Sequence, residues 1–323
     1  MSQVAEGPGT QGPLEARTLG ALAIGALAIG FAAPFFRFAA PIDPLLASMV
    51  RLALASILLS PSIPRARARG LLSSRTLGWA AVAGLLYAVH FGTWVASLSL
   101  TTVAASVTLV TATPLLLALL GWLRGRDAPS TRLWLGLAMA AAGTLLIGSA
   151  DASGPREGAL LGDALALIGA VAMAGILLVV RREQARLEPV SFSSVAVLVG
   201  AVCLAITIGL RGVSSGEWPE PPSLASLGWV AATALVSQLV GHTALTWALR
   251  HASPTHVALA TTAEPVIAAL VVFVWLGEEP GALVIAGSLV TLGGVVVGMT
   301  RPAAPVEQEN RCTQTPKRDN RPS

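Results

Sequence analysis

Ten stretches of about 20 residues, each apolar on every side, constrain this chain more than any other feature. They fall near 18–39, 44–62, 77–97, 101–122, 131–150, 159–180, 190–210, 225–247, 255–276 and 280–300. A helix of that length crosses the hydrocarbon layer of a bilayer, and it satisfies all its backbone polar groups from within. A soluble helix would instead oppose an apolar stripe with a charged face. Composition points the same way: of 323 residues, 54% are hydrophobic and 12% are Asp, Glu, Lys or Arg. That is about half the charge of a soluble domain, too little to coat a water-facing surface. The expected fold class is an all-α membrane protein with ten transmembrane helices.

Charge placement tests the count. With the N-terminus in the cytoplasm, the inside segments carry Arg17, Arg65, Arg67, Arg69, Arg75, Arg124, Arg126, Arg132, Arg181, Arg182, Arg186, Arg250, Arg301, Arg311, Lys317, Arg318 and Arg321. Those are 17 of the 21 basic residues; the outside segments hold Arg37, Arg156 and Arg211, and Arg51 lies within a span. Cytoplasmic retention of Lys and Arg produces this asymmetry, and a missed or extra helix would scramble it. The chain is therefore read as a multi-pass protein of the cell inner (plasma) membrane with both termini cytoplasmic. Residues 1–17 are read as a disordered tail and 301–323 as a basic cytoplasmic tail. The first span follows an acidic leader, is long, and has nine successors, so it is read as a retained helix and not a cleaved signal peptide.

The formal charge of +4 does not indicate nucleic-acid binding, because the basic residues are scattered at segment ends with no basic-aromatic run. Cys203 and Cys312 form no metal or redox spacing, and the four histidines show no local ligand signature. No cofactor and no metal are expected, and the oligomeric state is open.

Self-comparison reveals a repeat. Leu77-Gly78-Trp79 recurs as Leu227-Gly228-Trp229, and Pro114, Gly136 and Gly143 recur 151 residues later as Pro265, Gly287 and Gly294. Two units follow, 18–150 with the first five helices and 157–300 with the last five. Five is odd, so the second copy enters from the opposite side. Inverted repeats place a site near the midplane where the halves meet, and they allow alternating access by rocking.

The second half reads ALRHASPTHVALATTAEPVIAALVVFVWLGEEP, followed by a glycine-rich last helix. The first half carries LASMVRLALASILL, with Arg51 inside the helix, and ASLSLTTVAASVTLVTATPLLLALL. Over about residues 19–300 the chain resembles the EamA domain of the drug/metabolite transporter (DMT) superfamily. Two positions depart from the family pattern: Ile29-Gly30 replaces Trp-Gly in the first helix, and the first-half exit is Gly125-Arg126-Asp127. The resemblance implies that helices 1, 3, 4, 6, 8 and 9 surround a central cavity. It also implies transport, with amino acids and related compounds as substrate candidates.

Polar residues at bilayer depth are functional candidates by default. Arg51 either contacts a substrate anion or a gate, or it satisfies carbonyls or snorkels outward; the resemblance favours the structural role. Pro114 and Pro265 are structural too. Glu264, just before Pro265, either binds a substrate amine or cycles a proton, or it caps the backbone that proline disrupts. In helix 3, Tyr87, His90, Trp94 and Ser97 share one face; in helix 8, Gln238, His242 and Thr246 do. Lipid avoids such faces, so both point inward, as a cavity wall with aromatic and hydrogen-bonding groups or as interhelical bonds. Among the hydroxyls of helices 4 and 9 (Thr102, Ser106, Thr108, Thr111, Thr113, Thr255, Thr261, Thr262), most are expected to bond their own helix carbonyls. Thr111 and Thr261 are named for the substrate. His90, His242 and Glu264 are the proton-coupling candidates. Asp163 is expected to complement a helix N-terminus, and His251 and His256 to lie at the surface.

The resulting reading is a secondary transporter, an exporter or exchanger of small polar or amphipathic metabolites, embedded in the lipid bilayer. An intramembrane enzyme is the alternative, but the sequence has neither a His-Glu-x-x-His site nor a Gly-x-Ser-x-Gly elbow. A non-transporting scaffold or sensor is the other. No Walker A motif is present, so a gradient would supply the energy.

Overall fold

The computed structural model describes residues 14–101, 103–123, 129–150, 158–183, 188–277 and 279–300. Most of both tails, Thr102, Arg124, the Gly125-Arg126-Asp127 exit, Arg156 and Arg186 lie outside the described residues. The described chain holds ten helices long and apolar enough to cross a membrane. They are α1 (Ala16–Ala39), α2 (Pro44–Ala68), α3 (Ser74–Leu100), α4 (Ala105–Leu123) and α5 (Thr131–Ser149) in one half. The other half has α6 (Ala159–Glu183), α7 (Pro189–Ser215), α8 (Leu224–Ala248), α9 (Pro254–Trp275) and α10 (Ala282–Met299). Large apolar side chains such as Leu145, Val171 and Leu289 are left on the outside, which is stable only against lipid.

Local chemistry sets the ends. Asp43 accepts from the amides of Leu45 and Leu46 to cap α2. Ser73 caps α3 by accepting from Thr76, and Ser223 caps α8 by accepting from Ser226. Each of these serines stands just before the repeated Leu-Gly-Trp, so that match marks the capped start of two equivalent helices. α7 and α9 close on Gly216 and Gly277 at φ 77° and 67°, the left-handed turn that glycine enters without a Cβ penalty.

Five spans are not the uniform α-helices that hydropathy suggests; α2 tightens to a short 3-10 turn over Ser60–Ser62. α1 is interrupted at Phe31, α4 at Thr111–Ala112 and α9 at Thr262–Ala263. In each case a proline follows within three residues: Pro34, Pro114 and Pro265. Proline donates no hydrogen bond, and its ring clashes with the carbonyl four residues back. Around the second and third breaks the chain tightens, with Ala112 N bonded to Leu109 O and Ala263 N to Ala260 O. In α8 the helix widens to π winding over Thr233–His242.

Several helix pairs join the halves. In α5 and α10, Gly136 lies against Gly294, and Gly143 against Gly287. A Cβ on Gly143 would stand 2.5 Å from Gly287 O, and one on Gly294 would stand 2.6 Å from Gly136 O. Small residues let backbones approach this closely where no hydrophobic force drives association. In α2 and α7, Ser56 Oγ donates to Ser194 O and Ser194 Oγ to Ser56 O, both at 3.2 Å. Asp43 and Arg211 pair at 2.6 Å at one end of the same two helices. α3 packs along α6 and α7, and α8 along α1, where Ser237 Oγ donates to Ala28 O at 2.9 Å. The space between these groups holds the site.

Candidate functional site

A cavity opens between the two halves. The six helices named from the resemblance all reach it, and α2 joins them through Arg51. Tyr87, His90, Trp94, Thr111, His242, Thr261 and Glu264 line it together. Gln238 does not line it; it stands behind the wall, 2% exposed, and accepts from Arg51 Nη2 at 3.1 Å. The helix 8 face thus divides: His242 and Thr246 reach the cavity, while Gln238 supports another helix.

Arg51 does not snorkel. It is 1% exposed, and its guanidinium sits 4.1 Å from the centre of the Phe91 ring and 5.6 Å from that of Phe36. An aromatic face attracts a cation, more so when water is excluded. Beyond Gln238, its Nε and Nη1 have no hydrogen-bond partner among the described residues. Glu264 and Tyr87 are its electrostatic neighbours.

The α3 wall is a ladder of rings. Tyr87 stacks on Phe91 at 5.8 Å and 2°, and His90 on Trp94 at 6.0 Å and 14°. His242 meets Tyr87 and Phe91 edge-on at 5.9 and 5.6 Å. His90 Nδ1 lies 2.8 Å from Gly169 O; a carbonyl only accepts, so Nδ1 carries the hydrogen and Nε2 is left to accept or take a proton. Trp94 Nε1, like two of the Arg51 nitrogens, is buried without a partner among the described residues.

The helix breaks frame the floor. Glu264, 8% exposed, opens the second segment of α9, and the first turn of a helix favours a carboxylate. Its counterpart in α4, 151 residues earlier, is Thr113, which donates to Val110 O at 3.0 Å and Ala170 O at 3.3 Å. Thr111 donates to Val107 O at 2.8 Å, Thr261 to Ala258 O at 2.7 Å and Thr262 to Leu259 O at 2.7 Å. These hydroxyls therefore face the cavity, where they reach it, only as acceptors. The opposite wall is apolar: Met173, Ile176, Leu177 and Val180 of α6. None of these gave a sequence signal, because an apolar residue in a span looks the same whether it faces lipid or a cavity. Phe91 had one available signal, its place beside His90.

Side-chain contacts tie the ends of α6 and α1. At the C-terminal end of α6, Glu183 pairs with Arg75 of α3 at 2.8 Å and Arg182 lies 4.6 Å from the Trp79 ring centre. Arg181 donates to Leu249 O at 3.0 Å and Ala252 O at 3.4 Å. Toward the other end, Phe35 and Phe38 of α1 meet Trp229 and Trp275, with Phe35 stacked on Trp275 at 5.8 Å and 19°. His256 is half-buried and bonds Ser253, while exposed His251 rests on Trp247. Asp163 lies in the first turns of α6 with Oδ1 buried and no partner for that atom among the described residues. Among those residues no three metal-ligating side chains gather.

A family model described as the EamA-like transporter family matches the chain twice, over residues 17–149 and 160–300. The chain belongs to the EamA-like transporter family. Its two matched segments coincide with the two five-helix halves, and it is a membrane transporter of the DMT superfamily. Among curated protein sequences none matches it. Of solved structures, 29 chains match. One crystal structure superimposes with a TM-score of 0.69, covering 88% of this EamA chain and 97% of its own, at 18% identity. At that identity the likeness shows the fold.

Proposed function

We propose that this EamA protein is a secondary carrier of small polar or amphipathic metabolites, exporting or exchanging them by alternating access around the central cavity. The observation that carries this reading is the cavity itself: it lies where two inverted halves meet and combines Arg51, Glu264, two histidines and stacked aromatic rings. A bilayer-spanning bundle gains nothing from burying such groups unless they are paired or wetted. The contacts of Arg181, Arg182 and Glu183 at one end, and the Phe35–Trp275 stack toward the other, are the elements that would break and re-form as the halves rock. Tyr87, His90, Trp94, Thr111, His242, Thr261 and Glu264 form the substrate surface; Gln238 acts through Arg51. The 17-to-3 distribution of basic residues supports both termini in the cytoplasm of the inner membrane.

The test is counterflow in proteoliposomes loaded with a pool of amino acids and related metabolites, read by mass spectrometry. Exchange of at least one solute, lost in Tyr87→Ala and His242→Ala, is the expected result; no exchange of any solute would overturn the reading. Proton coupling through Glu264, His90 or His242 predicts that the rate follows an imposed pH gradient and falls with an uncoupler. A rate indifferent to both assigns the carrier to facilitated movement.

A further inference from the structure

Arg65, Arg67 and Arg69 crowd the last turn of α2, and all three are exposed. Among the described residues, none of their side chains has a hydrogen-bond or ion-pair partner. The sequence supplies no local counter-charge, because no Asp or Glu occurs between Asp43 and Asp127. The tail of α2 packs on α7, and the carboxylates at the nearby helix ends are already engaged. Glu183 pairs with Arg75 at 2.8 Å, and Glu188 accepts from the amides of Val190 and Ser191. Three like charges held together repel one another, so this cluster is matched by an anion from outside the chain.

The same arginines stand at the depth of lipid headgroups. At about 1.5 Å per residue, Arg65 is about 32 Å along α2 from Pro44, and the hydrocarbon layer is about 30 Å thick. Ile57, Pro61, Arg65 and Arg69 follow at four-residue intervals, and all four are exposed. One stripe of the helix thus passes from an apolar face against lipid tails to a basic face at their polar edge. We infer that Arg65 and Arg69 bind the phosphate of an anionic phospholipid whose chains lie along Ile57 and Leu58. An arginine fork can donate two parallel hydrogen bonds to a phosphate, and basic clusters just beyond a spanning helix attract anionic lipid. A zwitterionic headgroup carries its own cation beside the phosphate, so a headgroup of net negative charge is the better match. A free phosphate would make no use of Ile57 and Leu58, which are 65% and 44% exposed. This site lies outside the central cavity and does not depend on what the cavity carries.

The experiment titrates the purified full chain in detergent with dioleoyl-phosphatidylglycerol or dioleoyl-phosphatidylcholine, which share their acyl chains, and counts bound lipid by native mass spectrometry. A basic residue at a membrane surface is worth about fivefold in binding, so two predict a preference of about 25-fold for phosphatidylglycerol. Arg65→Gln with Arg69→Gln should erase most of that preference. Arg17→Gln with Arg132→Gln removes the same charge at the exposed starts of α1 and α5 and should leave it intact. A wild type that holds both lipids equally overturns the inference without any variant having to fold. A preference that survives the first pair of substitutions, or falls as far with the second, overturns it as well. Glycerol 3-phosphate is added in competition: if it displaces the lipid at equal concentration, the site recognises a free phosphate ester and the lipid assignment is wrong.

Discussion

At the scale of single residues, Gln238 shows how a polar side chain in a membrane protein can matter without touching the cavity. Its Oε1 takes one hydrogen of Arg51, so a cavity residue is aimed by a support that stands behind the wall. Gln238→Leu preserves volume roughly but leaves a buried guanidinium with no partner for that nitrogen. It should lower stability by about 1–3 kcal/mol and reduce transport at least tenfold, whereas Gln238→Glu, which restores an acceptor, should recover both. Thermal unfolding in detergent and counterflow on the same preparations check this. A Leu variant that transports normally would show that Arg51 needs no positioning. The i+4 pattern of Gln238, His242 and Thr246 was legible as an inward face. Its division was not, because periodicity tells which way a residue points and says nothing of what it meets there.

At the scale of helices, the glycines and prolines that repeat at an interval of 151 residues have different jobs. Gly136, Gly143, Gly287 and Gly294 interlock α5 with α10 at backbone contact. A Gly143→Val side chain would be driven into the carbonyl of Gly287 and the amide of Thr291. With helix backbone as the obstacle, the cost should reach or exceed the roughly 1–3 kcal/mol of ordinary overpacking, seen as a lower unfolding temperature and lower yield. Pro114 and Pro265 break α4 and α9 beside the cavity. Pro265→Ala lets α9 run on as a continuous helix, so it should leave the unfolding temperature unchanged or raised while transport falls. Equal transport with equal stability would mean that the break is incidental. Both sets of residues were visible in sequence as a repeat, but their separation into interlock and helix break came with the packing. The π winding of α8 has no such marker: Thr233–His242 contains no proline, and its equivalent stretch in α3 is regular α-helix.

At the scale of the whole molecule, two inverted halves make a bundle whose ends differ in chemistry: the Arg75–Glu183 ion pair with the carbonyl and ring contacts of Arg181 and Arg182 at one, and the Phe35–Phe38–Trp229–Trp275 cluster toward the other. The basic asymmetry predicts which faces which compartment. In a Cys203→Ser, Cys312→Ser background, Arg156→Cys should react with a membrane-impermeant maleimide added to intact cells, while Arg67→Cys should react only after permeabilisation. The reverse pattern would invert the topology.

The ten spans, their inverted pairing and the inward faces of α3 and α8 were determined by the sequence alone. Hydrophobic length, charge bias and an odd repeat are properties of the chain in contact with a bilayer and need no knowledge of neighbours. The apolar α6 wall, the retreat of Gln238, and the exposure of Arg51 to a cavity and not to carbonyls or the lipid surface were decided by tertiary structure. Each depends on which helix lies opposite, and in a membrane an apolar surface reads the same whether lipid, protein or solute will cover it.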